Sequence, residues 1–328
     1  MSSTNLIYES KWKLFQSFCA LRGADPFQAT SALIAEFLVH VAQTRQASVS
    51  TLAGYRSAIG NVIRLTTGFD PGSDLVLSQL MRSFRRTQPI PCRRIPQWDV
   101  GLVLEVLNES VEVEESMDLR LFTAKVVFLV ALASGDRSCA LAALRHPPRV
   151  SPSELTVDFL AKFVPKAYFV RKNMSRIAPL VLRMSPEQSL RQVCPYRAVQ
   201  SYCERVANHR KPNQDSLFIP HNLSKSHNIK PQAIARYITT LIAWCYEKRE
   251  LTAPKSRAHD VRKVATSMRE LSATALSDVL SAGEWTTPHM FFKHYQMQIG
   301  ESQRAALARF QGLQVAKSSF SLQQSNSK

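Results

Sequence analysis

No apolar run in the 328 residues reaches the roughly 20 that a membrane-crossing helix needs. The longest, Val126 to Ala133, reads instead as part of a buried helix. Lys11 and Lys13 interrupt the first apolar stretch, so no secretory signal is expected at the start. The six cysteines, Cys19, Cys92, Cys139, Cys194, Cys203 and Cys245, are scattered, and none forms a CxxC pair. That pattern supports neither a zinc site nor a disulfide framework, and it predicts ordinary buried or half-buried thiols in a reducing, intracellular compartment. No repeat with a period of about 20–50 residues is visible, which excludes solenoids and propellers. Between Ile95 and Leu119 there is no Lys or Arg at all, whereas Asp99, Glu105, Glu109, Glu112, Glu114, Glu115 and Asp118 are acidic.

The remainder is therefore more basic than the average of +17, from 42 Lys+Arg against 25 Asp+Glu, conveys. Such an excess favours a polyanionic partner. A membrane surface is the weaker option, because no Lys-rich amphipathic tail is present. A length of 328 residues with 45% hydrophobic content suffices for two domains with a sizeable core.

Helical spacing dominates the first 86 residues. Trp12, Phe15 and Cys19 share one face, and Gly23 follows as a stop. Ile34, Phe37, Leu38 and Val41 mark a second helix; Leu52, Tyr55, Ile59, Val62 and Ile63 mark a third, with Ser48 or Ser50 as N-cap. Leu77, Leu80, Met81 and Phe84 mark a fourth, ending in Arg82, Arg85 and Arg86. These four predict a compact bundle whose polar positions, Arg45, Ser50, Thr51, Arg56 and Ser57, either face phosphates or form a solvated face. Pro89, Pro91 and Pro96 then punctuate residues 87–97, a predicted linker whose Arg93 and Arg94 suit a path near a phosphate backbone.

The second domain is predicted from Trp98, with helices over Trp98 to Leu107 and Phe122 to Leu132. Ser134-Gly-Asp-Arg137 breaks the apolar run and opens a helix containing Leu141 and Leu144. Leu155, Val157 and Phe159 alternate as in a strand, with further extended pieces at Tyr168 to Val170 and Leu180 to Leu182. Helical patterns return at Pro195 to about Ala207, Pro231 to about Lys248, Asp260 to about Leu271, Thr274 to Ala282 and Thr287 to Gln296. The tail after Gln314, rich in Ser and Gln, is predicted to be mobile. The predicted class is mainly α with a small antiparallel β-sheet.

Arg137, Lys172, His259, Arg262, Trp285 and Tyr295 follow one another in an order with chemical meaning. A phosphodiester is anionic, and attack on it adds charge, so catalysis needs cations and hydrogen-bond donors placed where that charge develops. It also needs a nucleophile and a proton donor for the leaving oxygen. Two arginines, a lysine, a histidine and a tyrosine supply every part, so no cofactor and no metal is implied. Singly, each has a plainer reading: an arginine in a surface salt bridge, a histidine at a helix start, a tyrosine or tryptophan in a core. The ordered set is what carries weight.

With its spacings of three residues from His259 to Arg262, 23 from Arg262 to Trp285 and ten from Trp285 to Tyr295, the set resembles the tyrosine recombinase (integrase) family. The phrases Ala131-Leu-Ala-Ser-Gly135 and Ala258-His-Asp-Val-Arg262, with the Trp285-to-Tyr295 segment, are similar to the recombinases of eukaryotic DIRS-like and crypton-like mobile elements. The resemblance implies a two-domain clamp on DNA. Residues 1–86 would be a core-binding domain, 87–97 a linker, 98–300 a catalytic domain and 301–328 a tail. That tail's Ala305, Leu307, Phe310 and Leu313 would pack on a neighbouring subunit or on their own domain. Arg137 and Arg262 would fork onto phosphate oxygens, and Tyr295 would attack to form a 3′-phosphotyrosyl link. His259 would manage the tyrosine proton or bind the phosphate. Trp285, where many relatives carry histidine, can donate one hydrogen bond but cannot act as a base. A lysine on the β2–β3 turn would protonate the leaving 5′-oxygen. Lys172 is the favoured candidate, with Lys166 in reserve and Lys162 third, and Arg171 is a further phosphate contact. Ala140 departs from the pattern, because relatives usually carry an acidic residue three positions after this arginine.

The implied partners are double-stranded DNA and further copies of the chain, as a homotetramer joining two duplexes through a Holliday junction. In a eukaryotic host the protein would be nuclear, although Arg85-Arg86 and Arg93-Arg94 are too short to serve as an import signal by themselves. Two other readings stay open: a catalytically inactive, recombinase-derived DNA-binding or architectural protein, and a type IB topoisomerase-like enzyme. All three require cations on phosphates, so DNA affinity should fall steeply as salt rises from about 50 to about 200 mM, because counterions are released on binding. Fluorescence anisotropy with labelled duplex measures this, and an affinity insensitive to salt would overturn the basic-surface reading.

Overall fold

The computed structural model describes residues 3–88, 98–110, 117–165 and 178–271. The chain divides into two compact units, Met1–Arg94 and Ile95–Lys328.

In the first unit four helices enclose one apolar core: α1 (Ser3–Leu21), α2 (Ser31–Arg45), α3 (Val49–Thr67) and α4 (Leu75–Thr87). Short polar side chains start them. Thr30 Oγ1 accepts from Leu33 N at 3.4 Å, Ser48 Oγ from Thr51 N at 3.3 Å and Asp74 Oδ1 from Leu77 N at 2.8 Å, each satisfying an orphan amide of the first turn. Of the two serines proposed to cap α3, Ser48 therefore does so. Gly23, at φ +63°, ends α1: its amide donates to Ala20 O and that of Ala24 to Cys19 O, a left-handed turn that glycine enters without steric cost. The buried positions of α2 are Ile34, Phe37, Leu38 and Val41, the four that its helical spacing singles out. Phe37 lies at the centre, with ring centroids 5.0 Å from Phe15, 5.3 Å from Phe18 and 5.5 Å from Tyr55, all edge-on. Gln88 closes the bundle by accepting from Val49 N and donating to Ala47 O.

The second unit is built around α6 (Leu119–Ser134), in which every residue from Phe122 to Ser134 is buried. Packed on it are α8 (Pro195–Val206), α9 (Pro231–Lys248) and α10 (Ala258–Leu271). The preceding α5 (Val100–Glu109) lies against α9, where the Asp99 amide donates to Tyr246 Oη at 2.8 Å. Between α6 and α8 come a one-turn helix α7 (Ser138–Ala142) and an antiparallel sheet of β1 (Arg149–Val150), β2 (Glu154–Val157) and β3 (Leu180–Arg183), in that order. Leu155 pairs with Leu182 and Val157 with Leu180, so one face of the sheet is apolar and buried. The protein is thus mainly α with a small antiparallel sheet.

Several local readings shift. The helix opened by Arg137 stops at Ala142, and Leu144 instead bridges Phe159, which itself lies outside β2. Both are held by the sheet, a tertiary contact that periodicity cannot report. β1 escapes a period-2 search because it has only two residues. Cys19, Cys194 and Cys245 are buried and Cys203 half-buried, but Cys139 is exposed on α7, which turns Ala140, Leu141 and Ala142 inward instead. Residues 168–170, 274–282, 287–296 and 301–328, for which sequence-based expectations were stated above, and the linker positions 89–97, lie outside the described residues.

Because three rings converge on Phe37, Phe37→Ala should cost about 3–5 kcal/mol of stability through lost transfer energy and a cavity. Urea denaturation followed by circular dichroism checks this; a loss below about 1 kcal/mol would mean the site collapses around the deletion.

Candidate active site

The last turn of α6 and the first turn of α10 bring the site together. Gly135 ends α6 at φ +65°, its amide donating to Ala131 O at 2.9 Å. Its carbonyl then points away from the helix ladder and accepts a hydrogen bond from Arg262 Nη1 at 2.6 Å. Arg262 is 2% exposed, although arginine is almost never fully buried unless partnered. A guanidinium is well suited to that place, because the C-terminal end of a helix carries unsatisfied carbonyls and partial negative charge.

Two residues after Gly135, Arg137 adopts an extended backbone (φ −78°, ψ 155°) and caps α7, its carbonyl accepting from Leu141 N at 3.0 Å. Its side chain is half-buried. His259 and Lys263 stand four residues apart on α10 and so share a face, while Val261, Val264, Ala265 and Met268 turn into the core. Lys263 Nζ lies 3.4 Å from Asp260 Oδ1.

The electrostatics join these groups. The His259 ring reaches solvent, yet partial burial, followed by the charges of Arg262, Lys263 and Arg137, holds its pKa below the usual imidazole value, with Asp260 pulling the other way. The imidazole is therefore neutral at neutral pH and able to accept a proton. Two guanidiniums and an ammonium around one acceptor suit an anion that brings negative charge into their midst. Sequence reasoning missed Lys263 and the Gly135 carbonyl. The i,i+4 spacing from His259 was a signal for the first; nothing in a sequence signals a backbone acceptor.

Of the six candidate catalytic residues, Arg137, His259 and Arg262 are brought together, although more than a hundred residues separate the first from the other two. Lys172, Trp285 and Tyr295 lie outside the described residues, as do Lys166, Arg171, Arg93 and Arg94. Lys162 is exposed beyond β2, Arg56 is half-buried on α3 and Arg86 is exposed in the last turn of α4. Ala140 is buried at 9% exposure. Among the described residues no group of His, Cys, Asp and Glu could hold a metal ion, and no helix is long and apolar enough to cross a membrane.

No family model matches the sequence, and no curated protein matches it. Solved structures do match in fold. A lambda integrase dimer bound to a COC′ core site is 12% identical over 92% of this chain and 93% of that one, with a TM-score of 0.56. The Tn1549 transposon integrase in complex with transposon right end DNA is 14% identical over 95% and 94%, with a TM-score of 0.55. A lambda integrase tetramer bound to a Holliday junction is 13% identical over 92% and 74%, with a TM-score of 0.52. The fold of this chain is therefore similar to that of these integrases.

The charge arrangement makes a testable statement about His259. Removing one cation with Arg137→Gln makes the imidazolium less unfavourable, so the His259 pKa should rise toward the usual value. An NMR titration of the ring protons reads it directly; an unchanged or lower pKa would show that Arg137 does not act on this ring.

Proposed function

We propose that the protein is a site-specific DNA recombinase that cuts and rejoins strands through a 3′-phosphotyrosyl intermediate. The observation that carries this reading is the convergence of Arg262, Arg137 and His259 at the Gly135 turn, in a chain with the fold of DNA-bound integrases. Trp285 and Tyr295, which follow in the sequence, support it.

In this mechanism Arg137 and Arg262 hold the non-bridging oxygens of the scissile phosphate and stabilise the charge that builds in the pentacoordinate transition state. Tyr295 Oη attacks phosphorus and loses its proton to neutral His259. The bond from phosphorus to the 5′-oxygen breaks, and that oxygen takes a proton from the lysine, for which Lys172 is the first candidate. Trp285 Nε1 donates to the phosphate. A second 5′-hydroxyl then reverses the attack and displaces the tyrosine, so no external energy source is needed. Strand exchange between duplexes by this chemistry calls for a homotetramer and a Holliday junction. The family-like phrases around Gly135, Arg262 and Trp285 support an origin in a DIRS-like or crypton-like mobile element. Ala140 favours a second reading: a recombinase-derived DNA-binding protein without catalysis, because the acidic group that would brace the arginine is missing from a buried position.

Trapping on nicked suicide duplexes separates the two. The wild-type chain should run as a covalent DNA adduct on a denaturing gel and Tyr295→Phe should not. If a randomised duplex library that the protein binds yields no adduct from the wild type, the non-catalytic reading stands; adduct formation with relaxation of supercoils by a monomer would point to a topoisomerase.

A further inference from the structure

Lys263 belongs to the site, but the recombination chemistry above gives it no task. It follows Arg262 directly on α10 and lies one turn beyond His259 on the same helix face. Its side chain is 20% exposed, and that of Asp260, 3.4 Å away, 13%. Charges so far removed from water are costly to keep, so each needs the other. Their separation exceeds the roughly 2.7–2.9 Å of a charge-assisted hydrogen bond, so Asp260 steers the ammonium without a tight contact.

His259 stands in the first turn of α10, where exposed amide groups already disfavour a positive charge. Among the described residues, the charged groups facing its ring are Arg262, Lys263 and Asp260 on α10 and Arg137 at the start of α7. Lys263 acts on the ring more strongly than Asp260 does, so the pair's net effect on the ring is that of a cation.

We propose that Lys263, steered by Asp260, is a positioning residue on the nucleophile's side of the reaction, whose ammonium keeps His259 unprotonated and ready to take the proton of Tyr295. As the bond from Tyr295 Oη to phosphorus forms, the Oη–H bond breaks and its proton passes to the imidazole, while Lys263 keeps all its protons. In-line displacement places the attacking and leaving oxygens on opposite sides of phosphorus. His259 serves the attacking one, so Lys263, on the same helix face, is distinct from the lysine that protonates the leaving 5′-oxygen. The proton transfer rests on the recombinase reading; the action of Lys263 on His259 does not.

The test reads the two members of the pair separately in the full-length chain. Lys263→Gln and Asp260→Asn each keep a polar side chain of similar size and each break the same ion pair. A purely structural role therefore predicts the same effect from both, and an electrostatic role predicts opposite ones. Lys263→Gln should raise the His259 pKa by about half a pH unit, the effect of a unit charge about 6 Å away at the dielectric of water. Asp260→Asn should lower it, and Lys263→Arg should leave it at the wild-type value. NMR titration of the ring protons reads these shifts without DNA. Covalent-adduct formation on nicked duplexes should follow them: its acidic limb moves to higher pH in Lys263→Gln and to lower pH in Asp260→Asn. Both displacements should persist on a 5′-bridging phosphorothiolate, whose thiolate leaves without a proton. Shifts of one sign in the two variants, or no shift in either, would overturn the proposal. So would restoration of Lys263→Gln by the phosphorothiolate, which would make Lys263 the leaving-group donor. Opposite shifts with no adduct from the wild type would uphold the action of the pair on His259 and count against the recombinase reading alone.

Discussion

The hydrogen bond from Arg262 to the Gly135 carbonyl is the constraint on which the rest of the site depends. It ties α10 to the end of α6 in a place where a cation would otherwise be expelled. The left-handed turn at Gly135 frees the carbonyl to accept, and two residues later the same turn delivers Arg137. One backbone conformation therefore sets both the acceptor for one guanidinium and the origin of the other.

Around that bond the second unit behaves as a scaffold. The uninterrupted burial of α6 leaves little freedom at its C-terminal end, and α10 inherits this rigidity through packing on it. Catalytic geometry tolerates displacements of well under 1 Å, so a helix buried on all sides is a suitable platform. The pKa of His259 follows from the same crowding. Cations collected for an anion necessarily disfavour the imidazolium, which keeps the ring available as a proton acceptor.

The first unit distributes its chemistry differently. Its core is aromatic and self-contained, and among the described residues its arginines are exposed, apart from the half-buried Arg56. The exposed arginines give this unit a basic surface around a closed four-helix core.

Periodicity alone determined the four helices of the first unit, the buried positions of α2, the burial of Val126 to Ala133 and the extended segments at Leu155 to Val157 and Leu180 to Leu182, because the apolar spacing that marks each is set by residues a few positions apart. The order of Arg137, His259 and Arg262 was also legible, since chemistry restricts which residue types can serve a phosphate. Tertiary structure decided what depends on distant partners: the early end of α7, the capture of Leu144 by Phe159, the exposure of Cys139 and the entry of Lys263 into the site. The acceptor for Arg262 is the clearest case. Every residue carries a carbonyl, and only the packing of two helices selects the one at Gly135.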